Sequence, residues 1–436
     1  MCSLIRTFVA NMAQLPEAFT EYTRQVMGDE RFERYLKAFE EDAPVSIRLN
    51  PMKIKKGEWE VVGGEQVPWC QDGYYLPKRP NFTMDPLLHA GCYYVQEAAS
   101  MFLDEVMRQL SIAHCPLSIK QALDLCAAPG GKSTLLRAAL PADAMLYSNE
   151  PIRNRANILK ENVTKWGYPN HEVTNLYPRD YRKQKRHFDF ILCDVPCSGE
   201  GMFRKDEATI REWSPQNVEK CWQLQREIVN DAWKCLNDGG VLVYSTCTFN
   251  TKENEENVRW MMEELGAEIV PIEIKPEWNI TGSLLEGFNE PVYRFIPGIT
   301  RGEGLFMCVV RKAAPLNPPH WGETKPHRTS PIEGETNGGR KSKSKSAALS
   351  PSPSGGRMGE GFLVNLSYQQ AIAYLRGEAL VLPEETPRGI VEVNFMGYRL
   401  GEMKNIGTRA NNLYPKEWRI KTTHIPNDYE AILRHT

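Results

Sequence analysis

The sequence predicts an α/β protein built on a doubly wound, Rossmann-like sheet, and three features predict it. Strand-like and helix-like runs alternate from about Leu103 to Arg311, the signature of a parallel sheet with helical crossovers. A glycine-rich turn, APGG (128–131), joins the first of these strands to the first helix, as in nucleotide-binding crevices. Two apolar runs, FDFILCD (188–194) and GVLVYSTC (240–247), end at cysteine-bearing turns. In open α/β sheets, the carboxyl ends of strands are where ligands and reacting groups sit.

The elements follow in order. QALDLC (121–126) reads as a strand and KSTLLRAAL (132–140) as a helix. AMLYSNE (144–150) is the second strand, followed by a helix over IRNRANILKENVTKWG (152–167). HEVTN (171–175) is the third strand and FDFILCD the fourth; a helix over 215–236 then leads into GVLVYSTC. Asn250 and Glu253 have the spacing of a capping box, with Asn in the Ser/Thr place. They open a helix whose Val258, Met261, Met262 and Leu265 fall at i, i+3, i+4, i+7. GLFMCVVRK (304–312) is a late strand.

This divides the chain into a mixed lead-in (12–100), the sheet domain (101–312), a linker (313–361) and a C-terminal domain (362–436). The linker contains GGRKSKSKSAALSPSPSGGR (338–357), which cannot bury enough apolar surface to offset its ordering entropy. Its Arg340, Lys341, Lys343 and Lys345 read as a solubilising tether. Beyond it, LSYQQAIAYLRGEAL (366–380) is helix-like, and GIVEVNFMGYRLGEMK (389–404) reads as a hairpin turning at Gly397.

Bulk properties set bounds. A length of 436 residues allows about three domains. A net charge of −2 gives no global attraction to nucleic acid, so any basic surface must be local. Eleven cysteines, an odd number without a CxxC pair, argue against a disulfide framework or a zinc ribbon and for a reducing compartment. No apolar run approaches the ~18 residues of a membrane span. The opening MCSLIRTFVAN lacks an adequate apolar core for a secretory leader and reads as an untidy extension before Met12. The expectation is a cytoplasmic monomer without metal.

DLCAAPGGKST (124–134) admits two ligands. A triphosphate loop, G-x-x-x-x-G-K-[ST], fits at Gly131, Lys132 and Ser133, and ILCD resembles the strand that ends such a site at Asp194. Its first glycine is replaced by Cys126, however, and Pro129 removes an amide the phosphates would use. Glu150 ends the second strand about 20 residues past the turn, where an acidic residue holds ribose hydroxyls. A triphosphate has no need of that carboxylate; an adenosyl ligand does. Asn175 or Asp180, after the third strand, would approach the adenine.

With a sulfonium methyl donor in the crevice, Cys197 and Cys247 acquire roles. Carbon 5 of cytosine is a poor nucleophile, and thiolate addition at carbon 6 turns it into an enamine that can take a methyl group. Asp194 could supply a proton or hydrogen bond at ring nitrogen 3. A second thiol would serve the loss of the carbon 5 proton and release of the enzyme. A lone cysteine is usually a small buried hydrophobe, and Cys193 reads so. Cys197 instead sits in an exposed Pro-Cys-Ser-Gly turn, and Cys247 precedes a helix whose positive end can lower its pKa.

These residues carry a family resemblance. SIRLNP (46–51), YYVQEAASM (93–101), DLCAAPGGKS, FDFILCDVPCSGEG and YSTCTFNTKENEENV resemble the Nop/Sun-type RNA cytosine-5 methyltransferases, and within them the ribosomal-RNA branch, RsmF. The match is specific over about 12–311 and looser beyond. It implies a class I methyltransferase sheet, S-adenosylmethionine as cofactor and RNA as partner, most of all 16S ribosomal RNA, with transfer RNA as the alternative. It further implies that Cys247 is the nucleophile and Cys197 promotes release. Donor contacts would come from Cys126, Ala127, Ala128, Pro129, Gly130, Gly131, Lys132, Glu150, Arg155 and Asp194. Where the family often has an acidic residue two places after Asn175, this chain has Tyr177, leaving Asp180 as the candidate. Lys205, in FRKDEATIREW, is a candidate for the target pocket.

The resemblance also implies a ferredoxin-like lead-in and a PUA-like C-terminal module. A base inside a duplex cannot reach a buried thiol, so the target must be unpaired or flipped out. YRLGEMKNIGTRANNLYPKEWRIK (398–421) interleaves basic residues with Tyr398, Tyr414 and Trp418, which suits phosphates and stacked bases. Arg48 and Asn50 are expected on the RNA side. A catalytically inactive assembly factor and an NTPase are the competing functions.

Overall fold

The computed structural model describes residues 15–112, 118–314, 362–422 and 424–436. The opening extension and nearly all of the linker, with Arg340, Lys341, Lys343 and Lys345, lie outside them.

The lead-in begins with helices Glu17–Met27 and Asp29–Lys37. Strands β1 (Val45–Leu49), β2 (Trp59–Val61), β3 (Glu65–Gln66), β4 (Gly73–Leu76) and β5 (Tyr93–Val95) follow. Four of them form an antiparallel sheet in the order β3-β4-β1-β5. Both helices precede every strand, unlike the alternation expected of a ferredoxin-like unit. Their Phe19, Phe32 and Tyr35 pack instead with Phe203, Trp213 and Phe249 of the sheet domain.

The sheet domain contributes β6 (Gln121–Asp124), β7 (Met145–Asn149), β8 (His171–Thr174), β9 (Phe188–Asp194), β10 (Leu236–Thr246), β11 (Ala267–Ile269), β12 (Tyr293–Phe295) and β13 (Leu305–Lys312). Their order is β11-β13-β10-β9-β6-β7-β8, with β12 against β13. The five strands from β10 to β8 are parallel, and β13 is antiparallel to β10. The chain leaves β6 toward β7 and β8, then returns to β9 on the other side. The switch point therefore lies between the carboxyl ends of β6 and β9, where such sheets open a ligand crevice. The apolar strand runs explain this placement: β9 is buried at five of its seven positions and β10 throughout 240–246, as both faces of a parallel sheet are covered.

The C-terminal domain has β14 (Leu363–Asn365), a helix Tyr368–Leu375, β15 (Gly389–Phe395), β16 (Tyr398–Asn405) and β17 (Ala410–Asn412) in a sheet of that order. The hairpin turns through Met396 and Gly397, both at positive φ, the geometry that suits the twist of the flanking strands. The helix is shorter than its apolar pattern, because Gly377 turns at φ 85° two residues after its end. A last strand, β18 (Leu433–His435), leaves this sheet and pairs with β2 of the lead-in. The outer regions, distinct in sequence, share one hydrophobic cluster in which Ile47, Leu87 and Tyr93 join Ile372, Val393 and Met403. Asp85 ties them further by accepting hydrogen bonds from Tyr93 and Tyr429. No described helix is long and apolar enough to cross a membrane.

Candidate active site

The glycine turn is held from both sides. Leu125 N donates to Leu192 O and Ala127 N to Asn149 O, fixing the chain at the end of β6. From the helix Arg153–Trp166, Arg155 donates to Ala128 O at 3.0 Å and Asn162 to Pro129 O at 2.8 Å. Gly130, at φ 118°, leads into the helix Gly131–Ala139, and a Cβ there would meet Leu159 at 3.2 Å. It faces the helix, not the cleft.

A cleft of about 180 Å³ opens over the switch point, lined by Cys126, Ala127, Ala128, Pro129, Gly131, Lys132 and Asp194. The sequence missed its other wall, which is Tyr94, Gln96, Glu97 and Ser100 from the lead-in, and its floor, Asp124. Two buried atoms on these residues lack partners: Asp124 Oδ1 and Gln96 Nε2. Burial pushes the Asp124 carboxyl up to about 7, even though Ser133 donates to its other oxygen. The signal for this wall is YYVQEAASM (93–101), which carries the family resemblance.

Glu150 is buried at the end of β7, accepting from Ile152 N at 2.9 Å and pairing with Arg155 at 3.3 Å. Arg155 so links that carboxylate to the glycine turn. Asp180 accepts from Tyr177 N and caps the helix Pro178–Lys183. Asn175 braces the loop after β7 through the carbonyls of Glu150 and Pro151. Neither lines the cleft.

The two thiols come together. Cys197 Sγ and Cys247 Sγ lie 3.3 Å apart, and Cys247 N donates to Cys197 Sγ. Their registered strands bring this about, since β9 and β10 run side by side with Asp194 opposite Ser245. The hydrogen bond with Cys247, then burial, pushes the Cys197 thiol well up. Lys132 reaches across from the turn to Asp194 at 2.9 Å. Burial alone would lower this lysine; the Asp194 charge outweighs it, with Cys247 adding to the effect, and the ammonium is held above its usual value. Cys193 is buried inside β9, as expected of a small hydrophobe.

Beneath the thiols lies a buried network that sequence reasoning did not find. Glu200 accepts from Phe249 N, Asn250 N, Asn250 Nδ2 and Trp213 Nε1. Glu253 accepts from Ser198 N, Gln225 and Asn250 Nδ2. Each carboxylate joins the Cys197 turn to the Cys247 turn. Burial pushes Glu253 up to about 7. Gly201 allows the close approach: a Cβ there would meet Gly304 Cα at 2.7 Å and Cys247 O at 2.8 Å.

Several expectations are corrected here. The capping box at Asn250 and Glu253 is half formed: Asn250 Oδ1 accepts from Glu253 N, but Asn250 N donates to Glu200. The helix starts only at Glu255, and its N-cap Asn254 accepts from Thr246 and donates to Thr248 O, on either side of Cys247. Arg48 and Asn50 are buried rather than RNA-facing. Arg48 donates to Gln96, Gly131 O and Thr134, and Asn50 to Gly91 O and Trp166 O. Lys205 is exposed, and no contact among the described residues joins it to either sulfur. Its neighbour Arg204 is the buried one, paired with Glu303 at 3.0 Å.

Comparison with known proteins agrees with this geometry. The family described as 16S rRNA methyltransferase RsmB/F matches residues 115–311, the N-terminal domain of 16S rRNA methyltransferase RsmF matches 15–98, and the methyltransferase RsmF PUA domain matches 362–420. Ribosomal RNA small subunit methyltransferase F of Cronobacter sakazakii is 31% identical over 322 residues, 70% of this chain and 64% of the relative. The enzyme of that name from Aliivibrio fischeri is 31% identical, over 70% of this chain and 66% of the relative. The matches thus span slightly under two thirds of these relatives' length. Among solved structures, a methyltransferase homologue from Pyrococcus horikoshii is 26% identical with a TM-score of 0.57, covering 70% of this chain and 99% of that one. NSun6 from the same organism, at 21% identity, TM-score 0.57 and coverage of 69% and 99%, shares the fold. With a class I-like methyltransferase core, an N-terminal lead-in and a PUA-like C-terminal domain, the chain belongs to the RsmF branch of the Nop/Sun-type RNA cytosine-5 methyltransferases.

Proposed function

We propose that this protein methylates carbon 5 of cytosine in RNA, with 16S ribosomal RNA as substrate and S-adenosylmethionine as donor. The observation that carries it is the meeting of two thiols beside a Lys132–Asp194 pair at the switch point.

The cleft suits the donor. Its amino-acid end has an ammonium for the unpartnered Asp124 oxygen and a carboxylate for the unpartnered Gln96 amide. Glu150 stands where ribose hydroxyls are held, with Arg155 fixing its direction. Once bound, the donor supplies an electrophilic methyl group.

The chain's own residues do the rest. Cys247 is the attacking sulfur, the role the family resemblance implies, with the Cys197 sulfur 3.3 Å away. Attack at carbon 6 moves negative charge onto the ring's nitrogen 3 and oxygen 2 edge. The Lys132 ammonium, kept charged by Asp194, is the cation available to that charge, and Asp194 orients the pair. The first cause of the high Cys197 value is its hydrogen bond with Cys247. That bond is lost when the Cys247 sulfur is joined to carbon, and Cys197, its own proton released to solvent, is the second sulfur beside the adduct. It then takes the carbon 5 proton, the carbon–sulfur bond breaks, and Cys247 is released. Lys205 is left at the outer rim, where it would meet phosphate rather than base. We assign the protein to the cytoplasm, where such RNA is made.

The test uses labelled donor with 16S ribosomal RNA, small subunits and transfer RNA. Wild type should label ribosomal RNA, Cys247→Ala should abolish transfer, and Cys197→Ala should trap a covalent RNA adduct on denaturing gels. An adduct with Cys247→Ala would reverse the roles. Label on transfer RNA alone would change the substrate, and RNA binding without any label would leave an assembly factor.

A further inference from the structure

The two sulfurs are held together by more than their own contact. Cys197 and Cys247 are 50 positions apart, and their Sγ atoms, 3.3 Å apart, form the one sulfur–sulfur hydrogen bond among the described residues. Gly201 N donates to Cys247 O at 2.8 Å. The hydroxyls of Ser198 and Thr248, each the residue after a thiol, are hydrogen-bonded at 2.8 Å. Glu253 and Glu200 tie the same turns from below. Bringing distant residues together costs chain entropy that grows with the loop between them. Here the fold has closed that loop before any covalent bond exists.

The pair is also open to small reagents. Cys197 and Cys247 are half-buried, whereas Cys70, Cys92, Cys193, Cys235 and Cys308 are buried. A Cys247 that a nucleotide base can reach is reached by a peroxide molecule as well. The Lys132 ammonium lies near enough for the charge of Cys247 to act on it. A partly exposed sulfur beside a cation is the setting of oxidant-sensitive thiols. A disulfide bond is about 2.05 Å long, so from 3.3 Å each sulfur needs to move only about 0.6 Å toward the other.

We propose that Cys197 and Cys247 are an oxidation site: peroxide converts them to a disulfide that switches methyl transfer off until a thiol reductant restores both sulfurs. One sulfur, as thiolate, attacks a peroxide oxygen. The O–O bond breaks, the departing hydroxide takes up the proton that this thiol released, and the sulfur is left as sulfenic acid. The second sulfur attacks it, the S–O bond breaks, and a second water leaves with the second thiol's proton. Two thiols lose two electrons, and peroxide gains them. Ring attack needs a free Cys247 and proton removal a free Cys197, so the bond stops both. A sulfenic acid without a partner passes to sulfinic acid, which thiols do not restore; a sulfur 3.3 Å away intercepts it. The off state rests on the function proposed above, and the bond does not.

Reduced full-length protein is treated with hydrogen peroxide, and intact mass, linked peptides and methyl transfer are read. The mass should fall by two hydrogens, with the linkage mapped to Cys197 and Cys247 by fragmentation. Transfer should be lost and should return with dithiothreitol. Adenosylmethionine affinity by calorimetry should stay within about twofold, since neither sulfur lines the donor cleft. Cys197→Ser and Cys247→Ser should each gain oxygen instead of losing hydrogen. Cys221, half-buried on the helix Pro215–Cys235, is the competing thiol, and Cys221→Ser should oxidise and recover as wild type does. A bridge from either sulfur to Cys221, or sulfinic acid on one sulfur without a bridge, would overturn the proposal. So would a bridged protein that still transfers methyl groups. Failure of the reduced wild type to methylate any RNA would overturn the function and the switch with it, while mass alone would still decide the bond.

Discussion

The two halves of the crevice are built on opposite plans. On the thiol side, every buried carboxylate oxygen of Glu200 and Glu253 has a donor, and the Cys197 and Cys247 turns are stitched together below the sulfurs. On the donor side, Asp124 and Gln96 each keep a buried polar atom without a partner. A saturated network fixes geometry, which chemistry at two sulfurs requires. Unsaturated groups cost stability until a ligand meets them. For Glu200 and Glu253, saturation accompanies the part that holds the two sulfurs; for Asp124 and Gln96, its absence accompanies the lining of the donor cleft.

That contrast can be broken by experiment. Glu200→Ala leaves two backbone amides, Asn250 and Trp213 without an acceptor, and should lower unfolding stability by about 4 kcal/mol in urea titration. A change below about 1 kcal/mol would mean the network is ornamental. Lys132→Met should lower kcat by roughly 10²–10³ in single-turnover transfer while stability moves little, because Asp194 is 32% exposed and water can replace the lysine. Asp124→Asn should weaken adenosylmethionine binding by about tenfold by calorimetry and leave the urea midpoint unchanged or raised. A lowered midpoint with unchanged affinity would make Asp124 a structural residue.

The smallest effect is in pH. Asp124, Glu253 and Glu303 start from ordinary values of 3.8, 4.5 and 4.5, and burial raises each to about 7. The folded chain keeps protons that the unfolded chain has already released. Stability from these groups is therefore complete below about pH 4 and is lost as pH rises through about 7. The urea midpoint should fall between pH 5 and 8, and Glu253→Gln should flatten that slope by up to one proton. A midpoint that rises over this range would contradict the burial of these acids.

Much of this was legible in sequence, for physical reasons. The parallel strands were visible as apolar runs ending at turns, and FDFILCD coincides with β9. The thiols were visible because a cysteine beside Pro, Ser and Gly is an unusual core residue. What could not be read depends on contacts distant along the chain. Asn250 and Glu253 look like a cap locally, and the pull of Glu200 and Ser198 overrides it. Glu200, in PCSGEG, reads as a solvated acid until the fold closes over it. Arg48 looks like an RNA contact until the lead-in docks and its guanidinium stacks on Trp166 at 4.6 Å.

The pairing of β2 with β18 has a consequence for biosynthesis. Glu60 and Arg434, joined across that pair, are 374 positions apart. At 5–20 residues per second, the early strand emerges roughly 20 to 75 s before its partner exists. During that interval the nascent polypeptide can assemble its central sheet while an unpaired edge waits upstream, a natural point of engagement for chaperones.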